Sequence, residues 1–398
     1  MKDRVRAPAR RVLLAGLALG LIVPPIAHMN RSDDLEVFVA FGEVARAGEV
    51  PYDADVEWRY GPTHWATWSP AFVPLAAIIA AVDRLGRAPT RLLLQLLNLG
   101  GLAAILFIVA RWAKASRVEA AILGGLVVPY RLVLANFEGT QVNVLILGLV
   151  VGGVWLLESR RWPGALLFGL GAAIKATPLL LLPYLAWRGR WRDLGAAVVG
   201  VSVAGLVLPA LIVGAGELGA WYAGWRDSVE RSLLLWLDPW TNQSFLSVTV
   251  RLLGPEASRA AWWGFAALLG SCAALAFGKP WRGVASRRTA LEVAVVLVGA
   301  TMLSPIAWKS HYVSMVPLAL CLFAGLPSSR WSVPVLWAVG ASLNLTGSDL
   351  IGSWAAALET RGLVLWAALL LLLAGLQELW RTRRDPPAEP RASAAEAT

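Results

Sequence analysis

Hydrophobic positions gather into twelve apolar stretches, at 12–28, 92–110, 119–134, 142–157, 163–174, 177–187, 194–214, 260–277, 290–303, 312–326, 331–346 and 362–380. A helix needs about 20 apolar residues to cross the hydrocarbon core, and several of these stretches are shorter. The pattern predicts an all-α, polytopic membrane protein of about 12 transmembrane helices. A further apolar run at 70–82 suits a re-entrant or interfacial helix, because counting it as a span would move Arg111, Lys114 and Arg117 outside and invert every later loop.

Charge assigns the sides. With residues 1–11 placed in the cytoplasm, that segment, the alternate short connections and the tail from 381 hold 22 of the 36 Lys and Arg. That is the bias expected of cytoplasmic loops, and it puts both termini inside. Acids go the other way: 17 of 26 lie in or beside the outer loops, nine of them between Asp33 and Asp83. One integral domain over 1–380 is expected, with a first outer loop at 29–91 and a central outer loop at 215–259, followed by a disordered cytoplasmic tail at 381–398.

Composition narrows the class. A hydrophobic share of 57% and mean hydropathy of +0.60 exclude an ordinary soluble enzyme, and 21 Trp suit a protein with many interfacial anchors. The net charge of +10 is therefore a topology signal and no nucleic acid is expected as a partner. Cys272 and Cys321 both fall in expected spans, which argues against a structural disulfide. Residues 12–28 are read as a retained first helix, since no small-residue cleavage site follows cleanly. Nucleotide and protease motifs are absent, and His28, His64 and His311 are too dispersed for a zinc cluster, so neither a cofactor nor a metal is expected.

Polar groups at the ends of the apolar stretches carry the candidate chemistry. Asp33-Asp34 precede a helical run at 35–47, where a carboxylate either caps the helix or serves as a general base if burial raises its pKa. The segment continues through Gly48 and Pro51-Tyr52 to Tyr60-Gly61-Pro62. In Asn136-Phe137-Glu138-Gly139-Thr140-Gln141-Val142-Asn143, a turn leads into a helix whose amides are either caps or donors to sugar hydroxyls or a phosphate. Lys175, between two short apolar halves, is costly to bury and is expected to meet an anion. Thr241-Asn242-Gln243-Ser244 and Ser304-Pro305-Ile306-Ala307-Trp308-Lys309-Ser310-His311-Tyr312 add amides, an indole, an ammonium and an imidazole able to carry a proton near neutral pH.

Together these segments resemble the multi-spanning glycosyltransferases of the GT-C fold, most closely glycosyltransferase family 87, which includes bacterial polyprenyl-phosphate-mannose-dependent mannosyltransferases. The resemblance rests on Asp34 with Gly48 and Pro51-Tyr52, the Gly139-Thr140-Gln141-Val142-Asn143 turn, Lys175-Ala176-Thr177-Pro178, Asn242-Gln243-Ser244, and Ser304-Pro305 with Trp308 and His311. Two departures stand out. The family often has an acid and a His pair after the Trp where this chain has Lys309-Ser310-His311, and often Gly where Thr140 precedes Gln141.

The resemblance implies a catalytic base at Asp34, with Asp33 as the neighbouring alternative. It implies donor-phosphate contacts from Lys175, His311 and Lys309, and substrate contacts from Gln141, Asn143, Asn242, Gln243, Trp308 and Tyr60. The implied reaction is an inverting displacement of a polyprenyl phosphate from a sugar, mannose by the likeness, by the hydroxyl of an extracytoplasmic glycolipid or glycan acceptor. A transporter or flippase of a lipid-linked or anionic solute would also carry many helices and a polar cavity. Such proteins commonly show two related halves, however, and the long acidic first loop has no counterpart in the second half.

Overall fold

Backbone amides in lipid find no water, so an apolar stretch closes on itself as a helix. The computed structural model describes residues 12–21, 34–52, 68–115, 118–278, 287–325 and 332–383, and each expected apolar stretch is helical within them. In chain order the helices are α1 (Val12–Leu21), α2 (Asp34–Arg46), α3 (Val73–Asp83), α4 (Arg87–Trp112), α5 (Val118–Val127), α6 (Tyr130–Glu138), α7 (Asn143–Leu157), α8 (Arg161–Ile174), α9 (Leu181–Trp187) and α10 (Trp191–Val213). They continue as α11 (Leu218–Trp236), α12 (Phe245–Leu253), α13 (Pro255–Phe277), α14 (Arg287–Leu303), α15 (Met315–Ala324), α16 (Ser332–Asn344), α17 (Ser348–Ile351), α18 (Trp354–Thr360) and α19 (Leu363–Thr382). Short 3-10 turns at Pro70–Phe72, Thr177–Leu180 and Lys309–Ser314 lead into α3, α9 and α15. Among the described residues there is no strand, and the β pairing is an isolated antiparallel bridge between Asn242 and Trp308.

Four helices, α4, α10, α13 and α19, are long and apolar enough to cross a membrane alone. The α5–α6 pair makes a fifth if taken as one span, bent by 66° at Pro129, whose ring removes a backbone donor and blocks a straight continuation. The remaining apolar helices are shorter. Trp162, Trp191, Trp263, Trp337, Trp366 and Trp380 are exposed on the outside of the bundle beside exposed Leu and Val, as a surface facing lipid requires.

Small residues let the central helices approach closely. A Cβ on Gly148 of α7 would come within 2.8 Å of Gly101 Cα on α4, and one on Gly200 of α10 would strike the Ala165 carbonyl of α8. Close backbone packing of this kind replaces the hydrophobic drive that helices lack in lipid. It fixes which ends meet. At one end Arg190 pairs with Glu158 and Asp193, and Glu292, fully buried, is held by Arg188, Arg288 and the Tyr184 hydroxyl. Removing one partner of such a buried pair costs about 3–5 kcal/mol. At the other end α7 begins with Asn143, α8 gives way to Lys175 and α14 to Ser304.

The described residues of the expected outer loops are largely helical. α2 packs on α3, where a side chain on Gly42 would collide with the Ala76 carbonyl. Phe38, Phe41, Tyr52, Trp68, Phe72 and Trp221 form an aromatic cluster around them. The central segment holds α11 and α12, the latter capped by the Ser244 hydroxyl accepting from the Ser247 amide. The tail expected to be disordered from 381 begins inside α19, which runs to Thr382; residues 384–398 lie outside the described residues.

Candidate active site

α2 opens on Asp34, in the first turn where the helix dipole favours an acid. Its carboxylate lines a cavity of about 240 Å³ bounded on the polar side by Gln141, Lys175, Ser304, Trp308 and His311, and on the apolar side by Trp68, Trp225, Val229 and Leu233. The Gln141 side-chain amide donates to Asp34. Asn143 donates to the Gln141 oxygen at 3.2 Å, and the Lys175 ammonium donates to the Asn143 oxygen at 2.6 Å. A carboxylate and a cation are thus joined across one wall through two amides.

The turn that presents these amides is braced from behind. Gln141 N–H bonds the Asn136 carbonyl, and the Gln141 carbonyl accepts from Asn98, whose oxygen in turn accepts the Leu145 amide. Gln95, one turn earlier on α4, bonds the Phe137 carbonyl. Thr140 sits at φ 49°, a left-handed conformation that a β-branched residue adopts only where its surroundings impose it. Strain at that point is the local cost of aiming Gln141 at Asp34.

Lys175 follows the last turn of α8 in extended conformation, where the carbonyl end of a helix favours a cation. Ser69 holds that end by donating to the Ala173 carbonyl. In this turn between helices, burial lowers the Lys175 ammonium to about 7, with Asp34 pulling the other way. His311, in the 3-10 turn before α15, is pressed well below the ordinary imidazole value by burial and then by Lys175. That burial disfavours the proton His311 is expected to be able to carry near neutral pH, and its Nδ1 accepts from the Trp308 amide. The Trp308 indole N–H is buried without a partner beside the cavity.

Three residues expected at the substrate stand elsewhere. Asn242 is fully buried, donates to the Trp236 and Pro305 carbonyls, and accepts from the Ser244 and Ala307 amides. Gln243, also fully buried, donates to the Trp240 and Glu359 carbonyls. Both spend their amides on backbone and neither lines the cavity. Lys309 pairs with the buried carboxylate of Glu359 and donates to the Thr346 carbonyl, and it does not line the cavity. Asp33 and Tyr60 lie outside the described residues.

The sequence reading missed Gln95, Asn98, Ser69 and the stripe Trp225, Val229, Leu233. Gln95 and Asn98 carry a legible signal, two amides three residues apart on one face of an apolar helix. Among the described residues no group of three His, Cys, Asp or Glu side chains is placed to hold a metal ion.

Set beside known proteins, the chain matches the profile of glycosyltransferase family 87 over residues 66–307. That range takes in Gln141, Asn143, Lys175 and Asn242, while His311 falls just beyond it and Asp34 well before it. A polyprenol-phosphate-mannose-dependent alpha-(1-2)-phosphatidylinositol mannoside mannosyltransferase of Mycobacterium tuberculosis is 26% identical over 61% of this chain and 57% of its own. The Mycolicibacterium smegmatis protein of the same name is 28% identical over 59% and 53%. An alpha-(1->6)-mannopyranosyltransferase A of Mycobacterium tuberculosis is 25% identical over 43% and 36%. The chain thus spans little more than half the length of the first two relatives. No solved structure matches it.

Proposed function

The chain belongs to glycosyltransferase family 87, and on that footing we propose that it transfers a sugar, mannose by its relatives' names, from a polyprenyl-phosphate donor to a glycolipid or glycan hydroxyl. One observation carries the mechanism: Asp34 and Lys175 line the same cavity and are tied together through Gln141 and Asn143. Asp34 takes the proton from the acceptor hydroxyl as its oxygen attacks the anomeric carbon from the face opposite the phosphate. The sugar–phosphate bond breaks with inversion, and the leaving phosphate's charge is offset by Lys175. Trp308 offers an indole donor to a sugar oxygen, and neutral His311 orients either substrate.

The apolar wall of Trp225, Val229 and Leu233 suits the first isoprene units of the donor. We further propose about twelve spans in one integral domain over 1–380, both termini in the cytoplasm and the cavity on the extracytoplasmic side, as the loop charges imply. The test supplies purified, reconstituted protein with polyprenyl-phosphate-mannose and a phosphatidylinositol mannoside. A mannosylated lipid is the expected product. Turnover only with a sugar nucleotide would overturn the reading.

A further inference from the structure

Asp34, Gln141, Asn143 and Lys175, all but Asn143 lining the cavity, form a hydrogen-bonded chain with a direction. Lys175 is a donor only and an ionised carboxylate is an acceptor only, whereas each amide offers one of each. With Lys175 at one end, the Asn143 oxygen must face it, so the Asn143 NH₂ must face Gln141. The Gln141 oxygen is then taken, and its NH₂ must face Asp34. Turning over either amide would set two donors or two acceptors against each other in a buried place, where an unmade hydrogen bond costs about 1–3 kcal/mol.

We infer that Gln141 and Asn143 are positioning residues, a directed amide bridge through which the charge on Lys175 holds the orientation of the Asp34 carboxylate. This reassigns Asn143, expected from the sequence to touch substrate, and it rests on the reading of Asp34 as the base. It also gives the two substrates an order. A donor phosphate on Lys175 keeps the ammonium charged, the bridge stays set, and the base is aimed before the acceptor hydroxyl arrives. The end bonds are charge-assisted and the middle one is buried, so the chain polarises as a unit.

The backbone supports this use. Gln141 is fixed by bonds to both its N–H and its carbonyl and follows the strained Thr140, while Ser69 secures the helix end that carries Lys175. Among the described residues the titratable groups facing Lys175 are Asp34 from α2 and His311 from the 3-10 turn. Thr301 of α14 and Ser304 just beyond its end line, with Lys175, a second, smaller cavity of about 40 Å³.

The test is the pH profile of kcat/KM for wild type, Gln141→Glu and Asn143→Leu, with Asp34→Asn prepared alongside. Gln141→Glu is nearly isosteric and sets a second acid against Asp34, so the acid limb moves up by about one pH unit or more. Asn143→Leu touches neither Asp34 nor its hydrogen bond, yet frees Gln141 to turn over, and moves the same limb in the same direction by a smaller amount. Rates that fall uniformly with the limb unmoved in both variants would reduce the two amides to packing and overturn the bridge. Should Gln141→Glu not be recovered folded, Asn143→Leu decides by the same criterion. Asp34→Asn separates the layers: wild-type transfer by it sinks the base assignment itself, whereas its inactivity with unmoved limbs in the others sinks the bridge alone.

Discussion

Two polar clusters lie next to each other at one end of the bundle, and they are built from the same residue types to opposite ends. Around Asn242 and Gln243 the side-chain amides bond backbone carbonyls and N–H groups of the 304–308 segment, α11 and α18, and the Tyr312 hydroxyl closes on the Gln243 carbonyl at 2.6 Å. Around Gln141 and Asn143 the amides bond other side chains that are charged, and the chain faces a cavity. The first cluster holds irregular backbone where no water can reach it. The second leaves the backbone to Asn98 and Asn136 and keeps its own amides for the acid and the cation. What an amide is bonded to, more than its burial, separates brace from site.

Substitutions on either side sharpen this contrast. The largest effect is expected at Lys175: Lys175→Ala removes the cation from the proposed phosphate site and lowers kcat/KM for the donor by at least about a hundredfold. Arg restores only part of it, since a planar fork does not replace a compact ammonium. Donor kinetics untouched by the Ala change would move Lys175 into the bracing class. Asn242→Ala should do the reverse. It strands the Ser244 and Ala307 amides and takes a donor from the Trp236 carbonyl, costing about 2–4 kcal/mol of stability, while kcat of the folded fraction stays within about threefold. Thermal unfolding in detergent and turnover of the same sample decide it, and loss of turnover at unchanged stability would put Asn242 in the site.

pH probes the cation more gently. On the proposed reading Lys175 meets the phosphate as the ammonium, so kcat/KM for the donor is expected to hold below about 7 and fall as pH rises through it. With donor saturating, the bound phosphate favours the charged form and the limb in kcat moves up. Coincident limbs in the two profiles would argue that another group is titrating. The smallest effect is expected from Thr140→Gly. It relieves the left-handed strain and loosens the aim of Gln141, and should change kcat by less than about tenfold.

The helices were legible because an apolar run has few ways to satisfy its backbone, and even the short run at 70–82 proved to be a helix packed on α2. Asp34, Gln141 and Lys175 were legible too, as polar residues left where apolar stretches end. Their meeting was not. Asp34 and Gln141 are separated by 107 positions, and the close stacking of α4, α7, α8 and α10 with the packing of α2 on α3 brings the wall together. Asn242, Gln243 and Lys309 bond away from the cavity, because a motif gives residue type and place along the chain, not the partner. Nor could spacing foretell that Glu359 would take Lys309, or that burial beside Lys175 would keep His311 neutral.

The central claim is that the wall joining Asp34 to Lys175 is where sugar leaves the lipid phosphate. Its most direct test is Asp34→Asn, measured for mannose transfer from polyprenyl-phosphate-mannose and for donor binding in one preparation. Asn keeps the size and a hydrogen-bonding end but cannot take a proton. Transfer is expected to fall by at least about a hundredfold with donor affinity retained. Transfer at the wild-type rate would contradict the account and leave Asp34 as a helix cap.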